Sequence, residues 1–572
     1  MPRHSIAVVF AGSGGSGAMS AGAVFLRAAA RAGYFGMMTQ LFGAQVRGGE
    51  SAALVQIGVE PIEAQPDRFD AFVALDWDKV EQFAAEIPLD ETSLIFADPS
   101  AGAVPAGIAK SKGRVVALTM SDPGESKIDR ALHGKRVNMF AAGCLAALCG
   151  LPADDIGGAV ESIFGEKGGD VVGANRARAL AGVQAAPALA LDLKLAPPTH
   201  DRRWLISGNQ AVALGALRGG VRFVGCYPIT PATDLVEWLA PHLLKLGGRL
   251  VLGEDELASV NLALGASYGG VPAMTVTSGP GFSLMVESLG LAVAAEIPLV
   301  VIDVMRAGPS TGIASKTEQS DVNLAIYGAH GDAPRVVLAP LSVGDCAGTA
   351  EYAVYVAEAL QVPVIVLSDQ MLGQATAVID PVSDRPPPQS RKTNGAAAGQ
   401  PFKRYATGGD AVTPMPLPGT PGREWVAEGL THNEAGLPAS GAAMHAAQIH
   451  KRARKIREFD AGDRWGEVTG EGDTAILAFG STVGPAREAA RRLAEAGRNV
   501  RVIALRLLAP LPAKQLAQAL TGVRRVVVIE QNDTGQLYRH LLGHKAVPVD
   551  AESVARPGPL PFRPSEIVNY VA

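Results

Sequence analysis

Short apolar runs alternate along this chain with stretches whose apolar residues recur at helical spacing. Ser5–Phe10 (SIAVVF) predicts a buried strand, and an Ala-rich helix is expected from Met19 to Ala32. Further strands are expected at Ala53–Ile57, Phe72–Leu75, Ser93–Phe96 and Val115–Leu118. Brief, uninterrupted apolar runs bounded by Gly or Pro suit strands covered on both faces. Their alternation with helices predicts an α/β fold with a mostly parallel sheet.

The pattern breaks twice. Ala185–His200 is rich in Pro and Ala and reads as a linker. Beyond it a helix at Gly208–Arg218 and strands at Val221–Gly225, Met274–Thr277, Pro298–Val304 and Pro363–Ser368 predict a second α/β unit ending near Asp380. Residues 381–422 carry Pro, Gly and Arg without an apolar period, which predicts a wrapping segment and no core. A basic helix is expected at Ala442–Phe459. Strands at Thr474–Phe479, Val500–Leu505 and Arg525–Glu530, with helices at Pro485–Ala496 and Ala513–Leu520, predict a closing βαβαβ unit. The expected organisation is several α/β domains, at 1–190, 200–380 and 466–572, with 381–465 as the wrap.

Composition narrows the class. A chain of 572 residues with 48% hydrophobic and 19% charged residues has ample apolar surface to bury. A formal net charge of −5, without a long single-sign block, argues against a nucleic-acid partner. No leader-like segment or membrane-length apolar run is evident, so a cytoplasmic protein with no membrane association is expected. Cys144, Cys149, Cys226 and Cys346 form no C-x-x-C pair, and buried free thiols are expected, with no metal site.

Candidate chemistry begins at Gly12-Ser13-Gly14-Gly15-Ser16-Gly17, between a strand and a helix. Bare amides and a helix dipole there suit a phosphate of a dinucleotide or of coenzyme A, or only a tight turn. A dinucleotide site also wants an acid about 20 residues on, and Phe35–Arg47 contains none. Arg47, flanked by glycines, is a second candidate anion contact.

Four motifs then lie in the middle unit, three of them just after expected strands. Tyr227-Pro228-Ile229-Thr230-Pro231 presents the Thr230 hydroxyl from a rigid loop. Gly253-Glu254-Asp255-Glu256 opens a helix expected at Leu257–Gly265. Its acids serve the helix dipole, or Glu256 is a buried carboxyl whose burial favours the proton-bearing form. Thr277-Ser278-Gly279-Pro280-Gly281 and Arg306-Ala307-Gly308-Pro309-Ser310-Thr311-Gly312 are Gly/Pro loops at strand ends. Arg306 suits bidentate capture of a carboxylate, or a structural ion pair.

YPITP, the GEDE-headed helix, TSGPGFSLM and the RAGPSTG loop, in this order, resemble the 2-oxoacid:ferredoxin oxidoreductases. The N-terminal glycine loop and VRGG segment resemble that family's γ domain. Glu530-Gln531-Asn532 with Gly535-Gln536 resembles its transketolase-C-like domain. The resemblance implies a fused γ–α large subunit, inactive without a β subunit that carries thiamine diphosphate, Mg²⁺ and a [4Fe–4S] cluster. No diphosphate–Mg²⁺ signature or cluster cysteines occur here. It implies oxidative decarboxylation of a 2-oxoacid, with electrons passing to ferredoxin and the acyl group to coenzyme A, in a dimer of heterodimers.

By motif, Glu256 would activate the thiamine pyrimidine beside Tyr227, Pro228 and Ile229, and Thr230 would touch the reacting centre. Arg306, Thr311 and Ser315 would bind substrate, although Ala314-Ser315 departs from the usual Pro-Thr. Gly12, Gly14, Gly15, Gly17 and Arg47 would contact coenzyme A. The fused arrangement and the GPSTG loop favour 2-oxoglutarate over pyruvate or branched-chain acids. Lys316 or the partner are candidates for its distal carboxylate. The competing classes are a nicotinamide-dependent dehydrogenase and a non-catalytic scaffold.

Overall fold

The computed structural model describes residues 2–43, 49–121, 136–198, 203–383, 390–394 and 402–572, so the expected role of Arg47 lies outside the described residues. The chain divides into two compact units. One comprises Met1–Ser207 with Gln374–Pro381 and Arg563–Ser565; the other comprises the remainder from Gly208.

The first unit is built on an eight-stranded sheet. Its strands are β1 (Ser5–Ser13), β2 (Phe35–Phe42), β3 (Glu50–Gly58), β4 (Ala71–Ala74), β5 (Leu94–Ala97), β6 (Arg114–Ala117), β7 (Trp204–Ser207) and β14 (Thr376–Ile379), in the order β6-β5-β4-β1-β3-β2-β14-β7. The expectation of a mostly parallel sheet holds for half of it. β1, β4, β5 and β6 run parallel, whereas β3, β2, β14 and β7 each pair antiparallel with the strand before. The physical reason is connection length. Few residues lie between Phe42 at the end of β2 and Glu50 at the start of β3, and parallel neighbours need a long crossover. Helix α1 (Ala18–Arg31) packs Val24, Phe25 and Leu26 against Val8, Phe10 and Val55 of this sheet. The expected linker at Ala185–His200 is partly structural: Leu193 and Leu195 are buried, and Leu195 bridges to Arg3.

The second unit holds two sheets. The larger contains β8 (Phe223–Cys226), β9 (Arg249–Leu252), β10 (Ala273–Thr277), β11 (Leu299–Met305), β12 (Val336–Leu338), β13 (Pro363–Asp369) and β18 (Leu507–Ala509), ordered β18-β12-β13-β11-β10-β8-β9. All pair parallel except β18 with β12. β10, β11 and β13 are buried at every position, which is why they read as unbroken apolar runs. The smaller sheet is β15 (Gly466–Thr469), β16 (Thr474–Ala478), β17 (Arg501–Leu505), β19 (Arg525–Glu530) and β20 (Glu552–Ala555), ordered β15-β17-β16-β19-β20.

The wrapping segment is anchored by charge. Arg404, Lys451 and Lys455 surround Glu296, and all four are buried. Burial works to raise the Glu296 carboxyl, but Lys455, Lys451 and Arg404 together bring it down to about 2. Arg391 grips Glu358 through two hydrogen bonds of 2.6 and 2.8 Å. The four cysteines are free and buried. Among the described residues no helix is long and apolar enough to cross a membrane.

Candidate active site

Four adjacent parallel strands, β9-β8-β10-β11, carry the four motifs to one edge of the larger sheet. Ligands of parallel α/β sheets bind at this carboxyl edge. YPITP follows β8, GEDE follows β9, TSGPG follows β10, and RAGPSTG follows β11. Their convergence is therefore a consequence of strand order.

The GEDE acids divide their work. Asp255 is the N-cap of helix α2 (Glu256–Tyr268), accepting a 2.7 Å hydrogen bond from the Ala258 amide. Glu256 is thereby free for another purpose. It is buried, and its carboxyl lies against helix α3 (Gly279–Ala294): a Cβ on Gly281 would come within 2.5 Å of Glu256 Oε1 and would also strike Thr277 Oγ1. No hydrogen bond from a described residue reaches the Glu256 carboxyl. The carboxyl of this buried residue, with no partner among the described residues and over a glycine that leaves room for it, fits a ligand that hydrogen-bonds it. That is the demand of a thiamine pyrimidine nitrogen, so the residues present fit that cofactor.

Arg306 ties two of the loops together. Its Nη1 donates to the Thr230 carbonyl at 2.6 Å and its Nη2 to the Thr311 carbonyl at 2.9 Å. The guanidinium is buried, and its Nε has no partner among the described residues. Tyr227, Pro228, Thr230 and Thr311 are exposed at this edge, and Ile229 and Ser315 are half-buried. The Thr230–Pro231 and Gly308–Pro309 peptides are cis.

Two acids that the motifs did not single out lie beside this site. Asp303 pairs with Thr277 across β11 and β10, is fully buried, and has no partner for either carboxyl oxygen. Asp321 lies under the other end of TSGPG, where a Cβ on Gly279 would come within 2.6 Å of its Oδ2. Burial and then the neighbouring Asp321 push the Asp303 carboxyl well up. Burial and then Glu318 push Asp321 up to about 7, against the pull of Arg306. An acid inside the apolar run LVVIDVM was the available signal.

The loop after RAGPSTG is held by the smaller sheet. The Gln319 amide donates to the Gln531 carbonyl at 2.7 Å, and the Gln531 amide returns a bond to Gln319 Oε1 at 3.0 Å. Asn532 Nδ2 reaches the Gln319 carbonyl at 3.0 Å, while Gln319 Nε2 donates to the Phe479 carbonyl at 2.8 Å. Glu530 accepts the Leu537 and Tyr538 amides, fixing the helix that follows. The EQN motif thus holds the segment that follows RAGPSTG.

In the first unit the glycine loop is partly spoken for. Ser13 gives its amide and its hydroxyl to Asp76, each at 2.9 Å, and the Gly14 amide bonds the Gly49 carbonyl at 2.6 Å. Gly12 and Gly17 are close-packed: a Cβ on Gly12 would meet Ser16 Oγ at 2.8 Å, and one on Gly17 would strike Asn138. Gly15, at φ 100°, has open space where a side chain would be.

Three family models cover most of the chain. "Pyruvate ferredoxin/flavodoxin oxidoreductase" matches residues 7–185, and "Pyruvate flavodoxin/ferredoxin oxidoreductase, thiamine diP-bdg" matches 214–451. "Pyruvate:ferredoxin oxidoreductase core domain II" matches 472–560. The chain is 38% identical over 385 residues to the 2-oxoglutarate oxidoreductase subunit KorA of Mycobacterium tuberculosis, covering 66% of this chain and 57% of that one. It thus spans little more than half the length of that relative. It is 35% identical over 376 residues to the 2-oxoglutarate synthase subunit KorA of Methanothermobacter marburgensis, covering 64% of this chain and 98% of the relative. A solved 2-oxoglutarate:ferredoxin oxidoreductase from Magnetococcus marinus, with 2-oxoglutarate, coenzyme A and succinyl-CoA bound, superposes with a TM-score of 0.89 at 35% identity. That match covers 100% of this chain and 99% of the solved one. With the motifs on adjacent strand ends and the likeness running end to end, this chain belongs to the 2-oxoacid:ferredoxin oxidoreductase family.

Proposed function

We propose that the chain is the large subunit of a coenzyme A-dependent 2-oxoglutarate:ferredoxin oxidoreductase. It would interconvert 2-oxoglutarate, coenzyme A and oxidised ferredoxin with succinyl-CoA, CO₂ and reduced ferredoxin. The observation that carries this reading is the carboxyl of the buried Glu256, without a partner among the described residues, against Gly281 at the sheet edge that also holds Arg306. The names of the relatives favour 2-oxoglutarate as substrate.

When bound, thiamine diphosphate supplies the carbanion stabilisation that lets CO₂ leave a 2-oxoacid. Glu256 holds a proton at the pyrimidine nitrogen, with Tyr227, Pro228 and Ile229 as neighbouring wall. Thr230 touches the reacting centre. Arg306 fixes the Thr230 and Thr311 backbones, and its charge attracts the substrate carboxylate. Thr311 and Ser315 add hydroxyl contacts. A β subunit carries the diphosphate with Mg²⁺ and the [4Fe–4S] cluster that hands electrons to ferredoxin, and two heterodimers pair. Coenzyme A meets the loop of Gly12, Gly14, Gly15 and Gly17, with Gly15 its open position. The γ domain is 1–190, the pyrimidine-type domain 200–380, the wrap 381–465, and the transketolase-C-like domain 466–572.

The test is anaerobic purification of the native complex through a tag on this chain, followed by viologen reduction with coenzyme A and a panel of 2-oxoacids. Reduction with 2-oxoglutarate alone is expected. Reduction only with pyruvate or branched-chain acids would overturn the substrate and keep the chemistry. No reduction, with a cluster-bearing partner and thiamine diphosphate present, would overturn the enzyme reading.

A further inference from the structure

The first unit contains a cleft of 560 Å³ lined by Arg27, Arg31, Ser162, Arg203 and the apolar Ala30 and Leu205. Its volume is that of a small-molecule site. Arg27 and Arg31 lie one turn apart on α1, facing Gly158 and Ser162, one turn apart on the helix Ala153–Phe164. Arg27 Nη1 donates to Ser162 Oγ at 2.5 Å. The Arg31 guanidinium lies over Gly158, where a Cβ would come within 2.5 Å of its Cζ. Gly158 therefore makes the space that Arg31 fills.

Arg203 completes the cleft just before β7. Its side chain is only 1% exposed and stacks on Phe35, with Cζ 3.2 Å from the ring centroid. Its Nε donates to the Gly33 carbonyl at 3.2 Å and its Nη1 to Asp380 at 3.4 Å. Its Nη2 is buried with no partner, and so is Nε of Arg27. Among the described residues, three guanidiniums thus meet two carboxylates: Asp155, 3.6 Å from Arg31, and Asp380, itself 71% exposed. Buried donors without acceptors leave these cations under-compensated, so an anion in the cleft is favoured by charge and by the N–H groups that remain reachable. Burial also lowers the Arg27 and Arg203 pKa values, as expected for cations lacking full compensation.

We propose that this cleft binds a compact polyanion, its phosphate or carboxylate oxygens engaging Arg27, Arg31 and Arg203, with Ser162 on the exposed rim. Guanidinium forks match both oxyanion types.

The test is calorimetric titration of the assembled complex with pyrophosphate, ADP and citrate, with and without saturating coenzyme A. Submillimolar binding is expected, with pyrophosphate or ADP indicating a phosphate ligand and citrate a carboxylate one. The exposed Arg31→Gln should weaken it about tenfold, and Ser162→Trp, which fills the cleft, should abolish it. Neither substitution should alter viologen reduction at saturating substrate. Binding by none of the three probes would overturn the proposal. So would affinity that neither substitution changes, or binding that coenzyme A displaces, which would place the probe in the substrate site. These outcomes are independent of which 2-oxoacid the complex oxidises.

Discussion

Glu256 Oε1 lies 2.5 Å from the point where a side chain on Gly281 would begin. The glycine is thus a spatial requirement of the carboxyl, and Gly281→Ala is a probe of where that carboxyl must be. Alanine is the better helix former by about 1 kcal/mol, so the helix itself should tolerate it. The collision with Glu256 and Thr277 should displace the carboxyl instead. Turnover is expected to fall roughly 10- to 100-fold, with a thermal midpoint within a few degrees of the parent. Viologen assays and calorimetry on the same preparation check both halves.

Removing the proton function without moving the group is the complementary experiment. Glu256→Gln keeps the shape and loses the acid. If Glu256 holds a proton at the cofactor ring, turnover should fall at least about 100-fold in a complex that assembles normally. Parent-like turnover would remove Glu256 from the chemistry.

Arg306 has a different kind of role, because its two terminal nitrogens hold the Thr230 and Thr311 carbonyls. A lysine keeps the charge but cannot span both acceptors. Arg306→Lys should raise KM for the 2-oxoacid by about tenfold. It should also speed hydrogen exchange in residues 227–231 and 308–315, where the loops lose their common anchor. A change in KM without faster exchange would assign Arg306 to the substrate alone.

Three of the four motifs were legible as local strings at the ends of apolar strands and GEDE as the head of a helix, whereas the exposed β9 before GEDE left no apolar run to read; Arg525–Glu530, a buried run, was bounded correctly. What escaped depends on distant partners. Thr376–Ile379 is a short strand that joins β2 and β7, far away in the chain. Arg404, Tyr405 and Lys451 are fully buried in a segment whose composition reads as surface. Their burial rests on ion pairs and on hydrogen bonds such as Gln448 Nε2 to the Tyr405 carbonyl at 2.9 Å, which leave no periodic apolar trace. Asp303 escaped because one acid within LVVIDVM does not break the strand pattern, although it should have raised the question of what meets it.

Asp303 and Asp321 make stability depend on pH in a stated direction. Both carboxyls are pushed up in the fold, Asp321 to about 7, whereas an unfolded aspartate titrates near 3.8. Between those values the folded state holds protons that the unfolded state has lost, so stability falls as pH rises. For Asp321 the contribution is complete below about pH 4 and gone above about pH 7. Asp321→Asn is neutral throughout, so its melting profile from pH 5 to 8 should decline less than the parent's. Glu318 and Arg306 face Asp321 and remain in the variant. Parallel profiles would show that Asp321 is ionised across the range.

The buried charges around Glu296 predict an asymmetry between two neutralising substitutions. One carboxylate is shared by Arg404, Lys451 and Lys455, and it also sits at a positive φ of 52°. Burial is the main force lowering Lys455 to about 7, with Glu296 pulling the other way. Glu296→Gln removes the only negative charge among these four and strands three cations, a situation that typically costs about 3–5 kcal/mol. Lys455→Met removes one of three cations, leaves Lys451 and Arg404 on Glu296, and puts an apolar chain of similar length in a buried place, a change that is often neutral or stabilising. In chemical denaturation of the full chain, Glu296→Gln should therefore lower the midpoint sharply, whereas Lys455→Met should leave it unchanged or raise it. Equal losses from both would mean that the cluster acts as a matched set in which each cation is needed.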